Sequence, residues 1–184
     1  MERWYALRTR ARMESGVAQN LSCKGYEAFL PTFKVQRRWS DRLKTIDLPL
    51  FPSYVFCRFD ATRRLPVLMI PGVHNVVAVA GTPQAIDAAE IDAIRTAVHS
   101  GMNCEPHAYV NIGQMVRITD GVLSGLAGFV VYIKNERRLI LSVQLLMRSV
   151  SVELDSIAVE PIIDRKGHQR FLPANAVTTL TRSR

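Results

Sequence analysis

Hydrophobic and polar positions change their period several times along this chain. Trp4 to Thr9 reads as a strand, and Arg12 to Lys24 as a helix with Met13, Val17 and Leu21 on one face and Gly25 at its natural end. Ala28 to Gln36 reads as extended, with Pro31 marking an edge or a bulge. Arg37 to Lys44 is polar and basic around Trp39, the pattern of a hairpin tip or loop. Ser53 to Phe59 alternates as a strand: Tyr54, Phe56 and Arg58 fall on one face, Val55, Cys57 and Phe59 on the other. Residues 61–70 predict a short helix, with Pro66 near its start or breaking it. Val73 to Ala80 predicts a strand that ends at the turn Gly81-Thr82-Pro83. The next helix has a clear start. Asp87 is a good N-cap, Glu90 completes a capping box, and Ile86 and Ile91 form a hydrophobic staple across it. Ile91, Ile94 and Val98 continue the apolar stripe until Gly101.

Periodicity then lapses into Gly, Asn, Pro and His, which predicts a flexible linker over 102–111. Beyond it come short strands at Met115 to Thr119, Gly128 to Ile133, Arg138 to Leu145 and Val150 to Leu154, with turns at Asp120-Gly121 and Asn135-Glu136. Short strands this closely spaced predict a small β-barrel. From Asp164 the chain is polar and basic with few core candidates, a tail expected to be partly disordered. The expected fold class is α+β. Its parts are an N-terminal α/β sandwich over residues 1–101, the linker, a small SH3-like barrel over 112–163 and a basic tail over 164–184.

Composition narrows the function classes. The chain has 184 residues, enough for one ordinary domain or two small ones with a real core. With 24 Lys+Arg against 16 Asp+Glu, the formal charge of +8 points to a polyanionic partner, nucleic acid first. No apolar run approaches the roughly 18 residues of a membrane span, and the opening Met1-Glu2-Arg3-Trp4-Tyr5 lacks the apolar core of a signal peptide, so a cytoplasmic protein is expected. Cys23, Cys57 and Cys104 are far apart, as are His74, His99, His107 and His168. Neither set has metal-ligand spacing, and no cofactor is implied. Nucleophile-elbow, phosphate-loop, zinc-protease and paired-carboxylate patterns are all missing, so no catalytic residue is assigned.

Two segments carry a family resemblance. One is Pro49-Leu50-Phe51-Pro52-Ser53-Tyr54-Val55-Phe56. The other runs from Gly113-Gln114-Met115-Val116-Arg117-Ile118-Thr119-Asp120-Gly121 to Gly125-Leu126-Ala127-Gly128. Here the chain resembles the NusG family of transcription elongation and antitermination factors, including its specialised antiterminator branch. Trp4-Tyr5, Phe29-Leu30-Pro31 and Pro71-Gly72-Val73 fit the family's N-terminal domain. The second segment looks like a KOW motif, and Leu141-Ser142-Val143 and Val152-Glu153-Leu154 match later strands of that domain. The resemblance spans roughly residues 3–161 in the right order. The form of Pro49-Leu50-Phe51-Pro52, and the short spacing before it, lean towards the specialised branch. The glycine-rich, β-branched C-terminal sequence predicts a permanent barrel rather than one that refolds into helices.

The resemblance implies partners. Phe51, Pro52, Tyr54 and Phe56 would line an apolar depression that grips the clamp helices of the largest subunit of bacterial RNA polymerase, unless these aromatics are plain core. Arg8, Arg10 and Arg12 would lie near the non-template DNA strand, against the alternative of a solvated charged face. Arg37, Arg38, Arg42 and Lys44 form a second basic patch, solvated or against another polymerase element. Trp39 there either packs on its own hairpin or stacks on a base. Leu145, Leu146 and Arg148 fall where the family's partner loop engages a small-subunit ribosomal protein or the termination factor Rho. Met147 stands where the general factor has glycine. The rival reading is an RNA- or ribosome-binding KOW protein that never touches polymerase, and burial of Tyr54 and Phe56 would favour it.

Overall fold

The computed structural model describes residues 1–39, 42–108, 113–133, 136–154, 159–162 and 171–172. Its N-terminal half is a four-stranded antiparallel sheet between helices. The strands are β1 (Arg3–Thr9), β2 (Glu27–Phe29), β5 (Tyr54–Phe59) and β6 (Val73–Val76), ordered β2-β5-β1-β6. Helix α1 (Glu14–Cys23) covers one face, burying Val17 and Leu21 against Tyr5, Leu7, Val55, Cys57 and Phe59. Helix α3 (Ala88–His99) covers the other, burying Ile91, Ile94 and Ala97 with Trp4, Ala6 and Phe56. The period-2 alternation of β1 and β5 therefore feeds two separate cores. A short helix, α2 (Leu65–Leu68), follows a 3-10 turn at Ala61–Arg63 and has Pro66 in its first turn, where a missing N–H costs nothing.

Three expectations for this half change. The stretch Ala28 to Gln36 divides at Pro31 into β2 and β3 (Thr32–Trp39), and β3 pairs with β4 (Arg42–Pro49) in a two-stranded sheet of its own. Arg37 to Lys44 is thus the end of a long hairpin rather than a loop. Val73 to Ala80 breaks into β6 and a small hairpin of β7 (Ala78–Val79) with β8 (Thr82–Pro83), because Ala80 and Gly81 both take positive φ, 48° and 79°. The capping box is half formed. Asp87 accepts from the Ala89 amide at 3.0 Å, but the half-buried Glu90 lines a groove with Gln144 of the C-terminal half.

The C-terminal half is an antiparallel sheet ordered β14-β10-β11-β12-β13-β9, with β15 also paired to β10. Its strands are β9 (Cys104–Ala108), β10 (Gly113–Ile118), β11 (Ala127–Ile133), β12 (Glu136–Val143), β13 (Arg148–Glu153), β14 (Val159–Pro161) and β15 (Phe171–Leu172). Part of the expected linker is therefore strand: Cys104–Ala108 pairs with β13, and residues 109–112 lie outside the described residues. Asp120-Gly121 opens a wider loop than a two-residue turn, closed by Gly125 N–H to Ile118 O at 2.9 Å and plugged by fully buried Leu123. Asn135 and most of the tail also lie outside the described residues, although Phe171–Leu172 adds to the sheet. Val116, Ile118, Leu139, Leu141, Val150 and Val152 build the β core, which is continuous with the α3 side of the N-terminal sheet.

Candidate functional site

The Phe51–Tyr54 turn sits where the two halves meet. It is held from below by one side chain. Glu14 opens α1, is only 7% exposed, and accepts a hydrogen bond from the Ser53 amide at 2.8 Å. Ser53 needs that anchor, since its φ of 67° lies in the left-handed region that a β-carbon disfavours. Thr9 N–H to Ser53 O at 2.9 Å and Tyr54 N–H to Phe51 O at 3.1 Å complete the turn.

The four aromatic-strand candidates do not share one environment. Phe51 and Phe56 are 0% exposed and meet edge-to-face, with centroids 5.4 Å apart, in the core beneath α3. Pro52 is exposed, and Tyr54 is half-buried. The reason is the strand's place in the sheet. Phe56 lies deep, between β1 and β2, whereas Tyr54 starts the strand at the rim.

Arg148 lies over the Tyr54 ring, its guanidinium carbon 5.5 Å from the centroid. It follows a 3-10 turn at Gln144–Leu146 and a left-handed Met147 with φ 50°. Leu145 and Leu146 are half-buried against the shared core, Met147 is 61% exposed, and Arg148 is exposed. The C-terminal loop candidates and the N-terminal aromatic candidates thus touch each other. A cation over an aromatic face is attractive by about 0.5–1 kcal/mol at an exposed site.

Arg8, Arg10 and Arg12 are exposed and make no ion pair among the described residues. They do not form one edge. Arg8 is the cross-strand partner of Tyr54, so it belongs to the aromatic face, while Arg10 and Arg12 lie in the turn that leads from β1 to α1. Arg10 is fixed there by its amide on Gly72 O at 2.9 Å, and Arg12 takes φ 65°.

Sequence reasoning did not single out two residues. Glu14 looked like an ordinary acidic residue in a first helical turn. Arg95 stacks on Trp4 at 5.3 Å and on Phe29 at 5.2 Å while pairing with Glu27 at 3.0 Å, clamping the far end of the same sheet face. Nothing in the linear pattern pairs either residue with its distant partner. Cys57 and Cys104 are buried, and burial pushes their thiols up to about 12 and about 11, with the Glu2 and Glu27 charges adding to the rise at Cys57. Both are poor nucleophiles in the folded chain. Among the described residues no cluster of His, Cys, Asp or Glu could hold a metal ion, and no helix is long and apolar enough to cross a membrane.

These features define a mixed α/β sandwich joined to an all-β unit, with one surface shared between them. The profile of the family described as "Transcription termination factor nusG" matches residues 2–95, half of the chain. The chain belongs to the NusG family. A NusG "Transcription termination/antitermination protein" of Helicobacter pylori (strain ATCC 700392 / 26695) is 24% identical over 175 residues, covering 87% of this chain and 98% of its own. The protein of the same description from Lactococcus lactis subsp. lactis (strain IL1403) is 26% identical over 173 residues, covering 86% and 92%. In fold, the chain resembles the solved structure titled "Domain interaction in Thermotoga maritima NusG", with a TM-score of 0.51 and 22% identity over 83% of this chain and 93% of that one. Family and relatives together make this chain a factor of the transcription termination/antitermination class.

Proposed function

We propose that this protein is a transcription elongation and antitermination factor that binds the clamp helices of RNA polymerase through the rim of β5. Tyr54 and Pro52 make the contact, and Phe51 and Phe56 form the rigid floor beneath them. Arg8, Arg10 and Arg12 reach the non-template strand. Residues 112–163 act as a KOW barrel that recruits a ribosomal protein or Rho through Leu145, Leu146 and Arg148, and the protein works in the cytoplasm. Holding the clamp favours the elongating polymerase over the paused one by differential binding. The relatives reported above are all named NusG, so an operon-specific role rests on the form of Pro49-Leu50-Phe51-Pro52 and the short spacing before it.

One observation carries this reading: the Tyr54 rim already accepts a foreign side chain, Arg148 of the C-terminal half, in a cation–π contact. A surface that takes up a side chain of the C-terminal half has the chemistry to take up a helix tip, with aromatic anchoring at its centre. Full burial of Phe56 favours the rival RNA- or ribosome-binding reading, while the partial exposure of Tyr54 works against it.

The test is retention of core RNA polymerase by the immobilised chain. The variant is Tyr54→Ala alone, because truncating buried Phe56 would cost about 3–5 kcal/mol and confuse misfolding with lost contact. Retention by the parent and its loss in a Tyr54→Ala variant with unchanged circular dichroism is the expected result. A parent that retains ribosomes but no polymerase would replace this reading with the rival.

A further inference from the structure

The β3–β4 hairpin is separate from the site above and has properties that a free-standing ribbon should not have. Each strand is eight residues long, which gives an arm of about 25 Å at the usual rise. The arm forms its own two-stranded sheet, a form of marginal stability by itself in water. Its base is secured on one face by half-buried Phe33, Val35, Ile46 and Leu48. Towards the tip the same face turns cationic. Arg37 stands directly opposite Lys44, a like-charge pair that destabilises an antiparallel ladder. Arg42 shares that face, and Arg38 lies on the other. All four are exposed, and Arg37, Arg38 and Arg42 make no ion pair among the described residues. Three exposed arginines with no ion pair, gathered at the end of a separate two-stranded arm, are chemistry suited to a polyanion.

We infer that this hairpin is a second nucleic-acid contact, which inserts its cationic end into the major groove of B-form DNA. Three features select the duplex. A two-stranded ribbon matches a groove about 12 Å wide, and the cations occupy the last three residues of each strand, about 10 Å, against a groove depth of about 8.5 Å. Cations on both faces suit a groove walled by phosphates on both sides, whereas a single strand would lie along one face. A single-strand site also needs a track of aromatic platforms. Here Phe33 is half-buried at the base, and the exposed residues towards the tip are the cations Arg37, Arg38, Arg42 and Lys44 with Leu43. The deep, narrow major groove of an RNA duplex does not admit such a ribbon.

The experiment needs no polymerase, so its outcome is independent of the clamp reading. Binding of the full chain to a short random-sequence DNA duplex is followed by fluorescence anisotropy across a salt series. The same strand unpaired and the equivalent RNA duplex run in parallel. The comparison variant is Arg37→Gln/Arg38→Gln/Arg42→Gln/Lys44→Gln, with circular dichroism as the check on folding. Four phosphate contacts contribute a slope of about −3.6 in log affinity against log salt, or about 100-fold between about 50 and about 200 mM. The neutralised variant should lose that part of the slope on duplex DNA and much less on the other two nucleic acids. Arg37→Lys/Arg38→Lys/Arg42→Lys, which keeps the charge, should retain it. An unchanged slope in the neutralised variant overturns the inference. So does equal loss on single strand and RNA duplex, which would make the arm an unselective polyanion surface.

Discussion

Replacing Gly128 with alanine asks whether the C-terminal glycines are there for turns or for space. Gly121 and Gly125 have φ of 79° and 88°, and a β-carbon on either would meet nothing within 4 Å. Gly128 has no positive φ, but its β-carbon would lie 2.6 Å from the backbone oxygen of Ile140 and 3.1 Å from Leu139 Cδ1. That oxygen cannot swing aside. It belongs to β12, which pairs with β11 at Phe129↔Ile140 and carries fully buried Leu139 into the core. Relief therefore requires β12 to move as a backbone, by roughly half an ångström, against side chains already at interior packing density. Overpacking of this kind costs about 1–3 kcal/mol. Alanine recovers about 0.4–1 kcal/mol by restricting the unfolded chain, leaving a net loss of about 1–2 kcal/mol.

Thermal unfolding followed by circular dichroism measures the effect. A loss of this size lowers Tm by about 2–8 °C if the whole chain melts together, and by more if the β unit melts alone. Gly121→Ala is the control, since it meets no atoms and bears only the left-handed penalty of about 1–2 kcal/mol. Gly128→Ser should resemble Gly128→Ala, because the clash arises at the β-carbon. A Gly128→Ala protein that melts with the parent would refute the steric account and leave Gly128 as an ordinary strand residue.

Two further outcomes follow from the junction. Glu14→Ala should lower the urea midpoint by the equivalent of about 1–3 kcal/mol, because it strips the Ser53 amide of its acceptor in a buried place, while Glu14→Gln keeps an acceptor oxygen and most of the stability; equal behaviour of the two variants would dismiss the latch. Glu90 sits half-buried against the C-terminal half, and desolvation there raises its pKa above 4.5 despite the opposing bond from Gln144. A raised folded pKa means stability fully present below the unfolded value and lost as pH rises through the folded one. Parent stability should therefore fall relative to Glu90→Gln from mildly acidic pH upwards, and parallel melting curves across that range would contradict it.

How much was legible from sequence depended on whether the information was local. Alternation in Ser53 to Phe59 put Phe56 on one face and Val55, Cys57 and Phe59 on the other, and they lie in two separate cores, because a buried strand between two helices must send successive residues to different partners. Asp87 and the Ile86–Ile91 pair marked the start of α3 for the same reason: both signals lie within one turn. The misses were relational. Cys104–Ala108 has no strand-like pattern and includes Pro106, yet it pairs with β13. The chain does not announce that distant edge. Arg37 to Lys44 read as a hairpin tip or a loop, and the hairpin holds, but the length of the ladder that Phe33, Val35, Ile46 and Leu48 begin at the base was not legible. Glu90 satisfied a helix-start pattern while it lies half-buried beside Gln144 of the C-terminal half, a neighbour visible only once the halves are docked. At Met147 the family expectation of glycine agrees with the backbone, whose φ of 50° is the conformation glycine adopts freely.

The docking itself sets a threshold for any partner of β5. Arg148 lies over Tyr54, and the face of that ring cannot hold the guanidinium and a second protein at once. A tethered C-terminal half meets this surface at an effective concentration of about 1 mM. A partner present at about 1 µM must therefore bind the face about a thousandfold more tightly than the loop does, a margin of about 4 kcal/mol, before half of the molecules exchange. The loop's own grip is modest: one exposed cation–π contact and two half-buried leucines, none of them a fully desolvated anchor. A partner that fills the rim around Tyr54 with apolar side chains and pairs Arg8 with a carboxylate can supply that margin. A partner seated on that face would displace Arg148 from the ring, so the two candidate sites would compete for a single ring without any change in either fold.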